Sequence, residues 1–174
     1  MNHFLFAILF FLPAGFANAA PPVANKIPLF NRWKTPLDFG STVRGKRTLG
    51  KNKTWRGLMF GTFIGGLCGY FLYPHIGGET GDAIEHFLIG CSLGLCALLG
   101  DAIESFFKRQ RGIQSGNAWL GFDQLDYVVG AIIFSLPFIR LSLGEYSVVI
   151  GVFLVLHFVV SYISYHLGFK EKPV

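Results

Sequence analysis

Charge is what this chain has least of. Only 14% of its 174 residues are Asp, Glu, Lys or Arg, against about a quarter in a soluble domain of this size. With 52% hydrophobic residues, the sequence cannot clothe its apolar surface in polar groups. That excludes an ordinary water-soluble enzyme and points to an integral membrane protein. Cysteine is scarce too. Cys68, Cys91 and Cys96 all fall inside apolar runs, an odd count with none in a loop, which excludes a disulfide framework and reads as small buried thiols. Acids number 10 against 15 bases, so where each acid falls carries information.

Phenylalanine and glycine fill the space, with 19 and 22 copies. The apolar residues gather into five segments, at about 4–24, 57–73, 84–107, 125–143 and 146–169. Each has the length, roughly 17–24 residues, that crosses a hydrocarbon core of about 30 Å at 1.5 Å per residue. Only helices satisfy their own backbone in lipid at that length. The reading is an all-α integral membrane protein: a five-transmembrane-helix bundle forming one polytopic domain over residues 1–174.

The first segment, "FLFAILFFLPAGFANAA", resembles a signal peptide with a small-residue cleavage site. A signal peptide begins with positive charge, however, and "MNH" contains no Lys or Arg, so the segment is read as a retained spanning helix. Charge asymmetry orients the bundle. Residues 25–56 carry Lys26, Arg32, Lys34, Arg44, Lys46, Arg47, Lys51, Lys53 and Arg56 against Asp38 alone. Lys108, Arg109 and Arg111 follow the third segment, and Lys170 and Lys172 lie in the tail. The connections "PHIGGETGD" and "LGE" have no Lys or Arg, although Arg140 lies near the second. The positive-inside rule then puts the N-terminus outside, the C-terminus in the cytoplasm, and loops 25–56 and 104–123 on the cytoplasmic face of the cell membrane.

Gly57, Gly61, Gly65 and Gly69 recur every four residues, and Gly90 and Gly94 repeat the spacing in the third segment. Such stripes let helix backbones approach closely where the hydrophobic effect no longer drives association. Pro137 predicts a kink in the fourth segment. His157 and Ser161 read as interhelical hydrogen-bond partners, and Glu79, Asp82, Glu85 and His86 lie at the outer side.

Three stretches do not fit a purely packing role. "LLGDAIESFFKRQR" places Asp101, Glu104, Ser105 and Lys108 three to four apart, on one helical face. An ionised Asp101 near the hydrocarbon edge costs several kcal/mol unless it is paired, solvated or bound to a cation. The plain alternative is a salt bridge from Asp101 or Glu104 to Lys108. "GFDQLDYVVGAII" adds Asp123 and Asp126 at the entrance to the fourth segment. Together these carboxylates make an oxygen-rich site suited to Mg²⁺, which takes few carboxylates and keeps water or phosphate oxygens as its other ligands. In "TLGKNKTWRGLMFG", Lys51, Lys53, Thr54 and Arg56 crowd a helix entrance, where backbone N–H groups and bases together can hold phosphate. Acids for a metal and bases for phosphates at one membrane edge suggest phosphoryl or nucleotidyl transfer onto a lipid.

The motifs "LPAGFANAAPP", "TPLDFG", "LGKNKTWRG", "GDAIESFFKR" and "FDQLDYVVGA" resemble, almost end to end, the CDP-archaeol synthase family, relatives of the CDP-diacylglycerol synthases. The resemblance implies a Mg²⁺-dependent cytidylyltransferase that joins CTP to a membrane lipid phosphate, of archaeal ether type or phosphatidate-like, giving a CDP-lipid and pyrophosphate. It implies Lys53, Asp101, Lys108 and Asp126 as catalytic residues. Lys51, Asn52, Thr54, Arg56, Ser105 and Arg109 would contact substrate, and Asp101, Glu104, Asp123 and Asp126 would hold the metal. Expected partners are CTP, a phosphorylated lipid and the bilayer, with no nucleic acid and a homodimer left open. Two departures stand out: Arg44 precedes Gly45 where the family commonly has Asp, and "IQSGNAWLGFDQLD" replaces the His-Gly-Gly element of the wider synthases. The rival reading from another class is a small cation transporter or channel subunit with Asp101 lining a pathway, which predicts acids at several depths.

Overall fold

The computed structural model describes residues 2–76 and 81–169; Glu79, Lys170 and Lys172 lie outside them. Among the described residues, four helices are long and apolar enough to cross a membrane: α1 (His3–Ala24), α3 (Trp55–Ile76), α4 (Ala83–Gln110) and α6 (Leu143–His166). A short α2 (Pro28–Asn31) and a hairpin of β1 (Thr42–Val43) with β2 (Lys46–Arg47) occupy the connection between α1 and α3.

The fourth apolar segment differs from its expectation. Helix α5 covers only Asp126–Ser135, 10 residues, or roughly 15 Å. Pro137 is a stop here rather than a kink: it has no N–H to give and its ring opposes the carbonyl four residues back. Phe138 and Ile139 both turn back onto the Ser135 carbonyl at 2.9 Å. The chain then stays non-helical until Ser142 caps α6. The bundle is therefore four long helices and one half-length helix.

Helix starts follow local chemistry. Asp82 and Glu85 form a capping box on α4, as do Ser142 and Glu145 on α6, each side chain satisfying a first-turn N–H that the helix leaves unpaired. Asp82 and Glu85 are thus accounted for as caps.

Packing depends on glycine. The α3 and α4 stripes meet face to face: a methyl at Gly65 would lie 2.8 Å from the Gly90 carbonyl, and one at Gly69 would lie 2.5 Å from the His86 carbonyl. Gly61 faces the Ala17 carbonyl at a virtual 2.6 Å, so α3 is closely seated on α1 as well. Helix α1 sits at the centre, with Ala7, Phe11, Ala14 and Ala17 wholly buried. Cleavage after the small-residue stretch would remove the helix on which the other spans pack. On α6, His157 lies with its ring 6.0 Å from Tyr127 of α5, in keeping with an interhelical contact.

One more close approach positions the site. Gly130 of α5 lies against α4, where a methyl would come 2.5 Å from the Cys96 carbonyl and 3.1 Å from Gly100 Cα. This contact brings the first turn of α5 alongside the last turns of α4.

Candidate active site

Helix α4 has 28 residues, about 42 Å at 1.5 Å per residue, so its last turns run past a hydrocarbon core of about 30 Å. Asp101 and Glu104 stand on those turns, and the Gly100–Gly130 contact sets Asp126 beside them. Asp101, Glu104 and Asp126 each offer an oxygen, all within 4.8 Å of one another. Asp126 heads α5, where the helix dipole favours an anion; Asp101 and Glu104 lie toward the C-terminal end of α4, where it does not. Cations must make up the difference.

Lys53 supplies one. Its Nζ is 2.5 Å from Asp101 Oδ2, with both side chains about three-quarters covered. Burial alone would pull the ammonium's pKa down, but Asp101, then Asp126 and Glu104, outweigh it and hold the pKa above the ordinary lysine value. Lys108 supplies the second. It donates to both oxygens of Asp123, at 2.7 and 2.9 Å, and lies 3.9 Å from Glu104. Burial would raise the Asp123 carboxyl, yet the Lys108 bonds, the Trp119 N–H at 3.0 Å and Glu104 hold it below the usual carboxylate range. The salt bridge weighed from sequence therefore exists only as the long Lys108–Glu104 pair; Asp101 pairs with Lys53 instead.

What is left unmatched is the most informative part. Among the described residues, Glu104 Oε1 and Asp126 Oδ2 are buried acceptors without a hydrogen-bond partner, and Arg109 Nε and Nη1 are buried donors without one. Glu104 is 7% exposed and Arg109 8%. Native structures rarely leave such groups unsatisfied. Orphaned carboxylate oxygens are matched by a cation, and orphaned guanidinium N–H groups by an anion. The carboxylates present thus fit a small hard cation in type and spacing.

Not every expected residue joins this group. Lys51 and Asn52 are exposed in the loop before α3, with Asn52 facing Gly116 across the gap between the two loops. Ser105 is buried next to Glu104 on α4. Asp123 lies outside the three-carboxylate set, held by Lys108. Thr54 is a helix cap: its hydroxyl accepts from Gly57 N–H at 3.2 Å, while Trp55 N–H goes to the Thr35 carbonyl at 3.1 Å. With those first-turn donors engaged, the loop offers lysine charge rather than a free helix N-terminus. Arg56 points away, donating to the Phe30 carbonyl at 3.0 Å and to the Asn25 side chain, so it fastens α2 to α3.

Sequence reasoning missed two contributors. Gly100 and Gly130 make the α4–α5 approach, but they lie on separate segments and form no stripe. Asp38 organises the loop that carries Lys53; its signals were being the sole acid among many bases and its place in "TPLDFG".

The chain is similar to known proteins along nearly its whole length. A family model described as "CarS-like: CDP-archaeol synthase" matches residues 1–174. A CDP-archaeol synthase of Pyrococcus horikoshii is 36% identical over 99% of this chain and 98% of its own length. One from Saccharolobus islandicus is 35% identical over 97% and 95%. A solved structure, described as an intramembrane enzyme for archaeal membrane lipids biosynthesis, superposes with a TM-score of 0.78 at 31% identity, covering 91% of this chain and 93% of that one. The chain is a multi-pass membrane protein and belongs to the CDP-archaeol synthase family.

Proposed function

We propose that the chain transfers the cytidylyl group of CTP to the phosphate of a membrane lipid, releasing pyrophosphate and leaving a CDP-activated lipid. A lipid phosphate oxygen forms a bond to the α-phosphorus of CTP as the bond to the bridging β-phosphate oxygen breaks. No protein nucleophile is needed, so the residues serve by position and charge. The observation that carries this reading is the Asp101–Glu104–Asp126 cluster, with Glu104 Oε1 and Asp126 Oδ2 lacking hydrogen bonds, at the same end of α4 as Arg109, whose buried Nε and Nη1 lack them too.

Asp101, Glu104 and Asp126 would hold Mg²⁺, with Asp123 behind them fixing Lys108. When bound, the metal neutralises charge on the triphosphate and polarises its phosphoryl oxygens. Arg109, whose Nε and Nη1 lack partners and can fork onto phosphate oxygens, binds the polyphosphate. Lys53 stands on Asp101 and can lend its ammonium to the nucleotide. Lys108 holds Asp123 and screens Glu104. Lys51 and Asn52 stand exposed in the loop that carries Lys53, and Ser105 adds a hydroxyl beside Glu104.

We further propose that this end of the bundle faces the cytoplasm of the cell membrane, in line with its bases, with the N-terminus outside. The transporter alternative loses ground: Asp101, Glu104, Asp123 and Asp126 gather at one end, while Asp82, Glu85 and Glu145 are bound up in caps. The test is detergent-purified protein with Mg²⁺, CTP labelled at the α-phosphate, and a panel of ether- and ester-linked lipid phosphates. Label should move into the lipid fraction with matching pyrophosphate, most with an ether-linked lipid phosphate. Label that never leaves the aqueous phase with any lipid phosphate would contradict the reading.

A further inference from the structure

Asp38 sits in the connection between α1 and α3, in a stretch crowded with bases, where a carboxylate would ordinarily stay in water. Instead it is 7% exposed and accepts five hydrogen bonds. Oδ1 takes Gly40 N–H at 3.0 Å and Arg47 Nη2 at 2.8 Å. Oδ2 takes Leu49 N–H and Gly50 N–H at 3.0 Å each, and Arg47 Nε at 3.2 Å. Burial raises its pKa, but Arg47 and the three amides together hold it well below the usual carboxylate range. None of the carboxylates or bases of the candidate site is among its hydrogen-bond partners.

Its bonds govern the segment that carries Lys53. Asp38 grips the chain at Leu49 and Gly50. The adjacent residue, Leu37, grips it again by donating to the Lys53 carbonyl at 2.8 Å, and Trp55 closes the ladder on Thr35. Only Lys51 and Asn52 lie between these anchors. Lysine has a flexible four-carbon stem, so where its ammonium can reach depends on where its backbone is held. Gly50, at φ 97°, adopts a conformation that side chains rarely take. A methyl there would lie 3.4 Å from Ser115 Oγ and 3.7 Å from Arg109 Cδ, so the same grip seats the chain against Arg109. The turn around Asp38 is also strained: Phe39 has φ 47°, unusual for a bulky residue, and such strain persists only where surrounding bonds over-determine the backbone.

We propose that Asp38 is a positioning residue for nucleotide binding, acting through Lys53 by fixing residues 49–53 against the end of α4. The proposal rests on the cytidylyltransferase reading. A carboxylate is required because two of its oxygens face only donors. Asparagine in its place would turn an NH₂ group toward part of the ring of donors and break the knot on that side.

The test measures KM for CTP, kcat and melting temperature for wild type, Asp38→Asn, Lys53→Ala and the double variant. Asp38→Asn should raise KM for CTP about tenfold, a loss of one charge-assisted contact set. Its kcat at saturating CTP should fall less, and its melting temperature should move little, because the bundle is held by the glycine contacts. The double variant should have nearly the KM of Lys53→Ala, since Asp38 works through that lysine. An Asp38→Asn protein with unchanged KM, or a double variant whose effects multiply, would overturn the positioning role. If Asp38→Asn does not fold, Arg47→Gln removes the guanidinium bonds and keeps the three amide bonds. It should raise KM about threefold, and an unchanged KM there would equally overturn the role. A wild-type protein that turns over no CTP would overturn the activity, and the positioning role with it.

Discussion

Helix α4 carries acids at both ends, and the two ends use them differently. At its N-terminus, Asp82 accepts from the N–H groups of Ile84 and Glu85 at 2.9 and 2.8 Å, and Glu85 returns a bond to Asp82 N–H at 3.2 Å. These charges are spent on the backbone, in the direction the helix dipole favours. Toward the C-terminus, Asp101 and Glu104 have no orphan amides to serve and lie against the dipole. Asp101 draws on Lys53 from a distant segment, while Glu104 has only the long 3.9 Å ion pair to Lys108 one turn along α4 and no hydrogen bond to its Oε1. An acid that its own helix can explain is structural. An acid that needs partners from elsewhere, and still lacks some, marks a place for a ligand.

The largest effects should separate these ends. Asp126→Asn should lower CTP-dependent pyrophosphate release by about 10²–10³, the scale seen when one preorganised electrostatic group is removed. Adding Asp101→Asn should make it scarcely worse, as for residues acting as a unit. Steady-state kinetics on the single and double variants checks this; multiplying effects would contradict it. Asp82→Ala should leave turnover near wild type and lower stability by about 1 kcal/mol through the lost cap, measured by thermal melting in detergent.

Next in size is a backbone change. Gly100→Ala would push a methyl into the Asp126 carbonyl, forcing α5 from α4. Overpacking of this kind costs about 1–3 kcal/mol. Activity should fall further than that destabilisation explains, because Asp126 moves off Asp101. Equal melting temperature and turnover in this variant would count against the glycine contact as the placing device.

pH dependence gives a smaller, signed effect. The pKa of Lys53 lies above its unfolded value, so its pairing with Asp101 contributes stability that is fully present below about pH 10.4 and fades as pH rises through the folded value. Asp123, held low, contributes stability above about pH 3.9 that fades as pH falls through its folded value. Melting curves of Lys53→Met should therefore converge with wild type at high pH, and those of Asp123→Asn at low pH. The smallest expected effect is Arg44→Asn. Arg44 and Gly45 both have positive φ, 53° and 74°, in a two-residue hairpin that favours Asn or Asp before Gly. The substitution should stabilise the loop by a few tenths of a kcal/mol, roughly the scale of turn preferences, with turnover unchanged.

Much of this was legible beforehand. Segment length and hydropathy gave the four spans, because a membrane imposes a length that the sequence cannot hide. Three- and four-residue spacing put Asp101 and Glu104 on one face, and the first-turn place of Asp126 put it at a helix entrance. The half-length of α5 was hidden because the apolar run continues through Phe138 and Leu141, and a membrane proline is as compatible with a kink as with a stop. Lys53 on Asp101, Lys108 on Asp123 and Gly100 on Gly130 are pairings between distant segments, which local periodicity does not encode. Arg56 and Thr54 looked like phosphate ligands because a base and a hydroxyl at a helix entrance suit a cap or tether as well as a substrate.

The central claim is that the carboxylates at the end of α4 serve a ligand rather than the fold, and Asp101→Asn tests it most directly. Melting temperature and CTP-dependent pyrophosphate release are measured on the same preparation. The account predicts that turnover is lost by orders of magnitude while the melting temperature changes little, since the lost pairing with Lys53 is offset by relief among three crowded acids and Lys53 retains Asp126 and Glu104 nearby. A destabilised Asp101→Asn protein that still turns over CTP would contradict it.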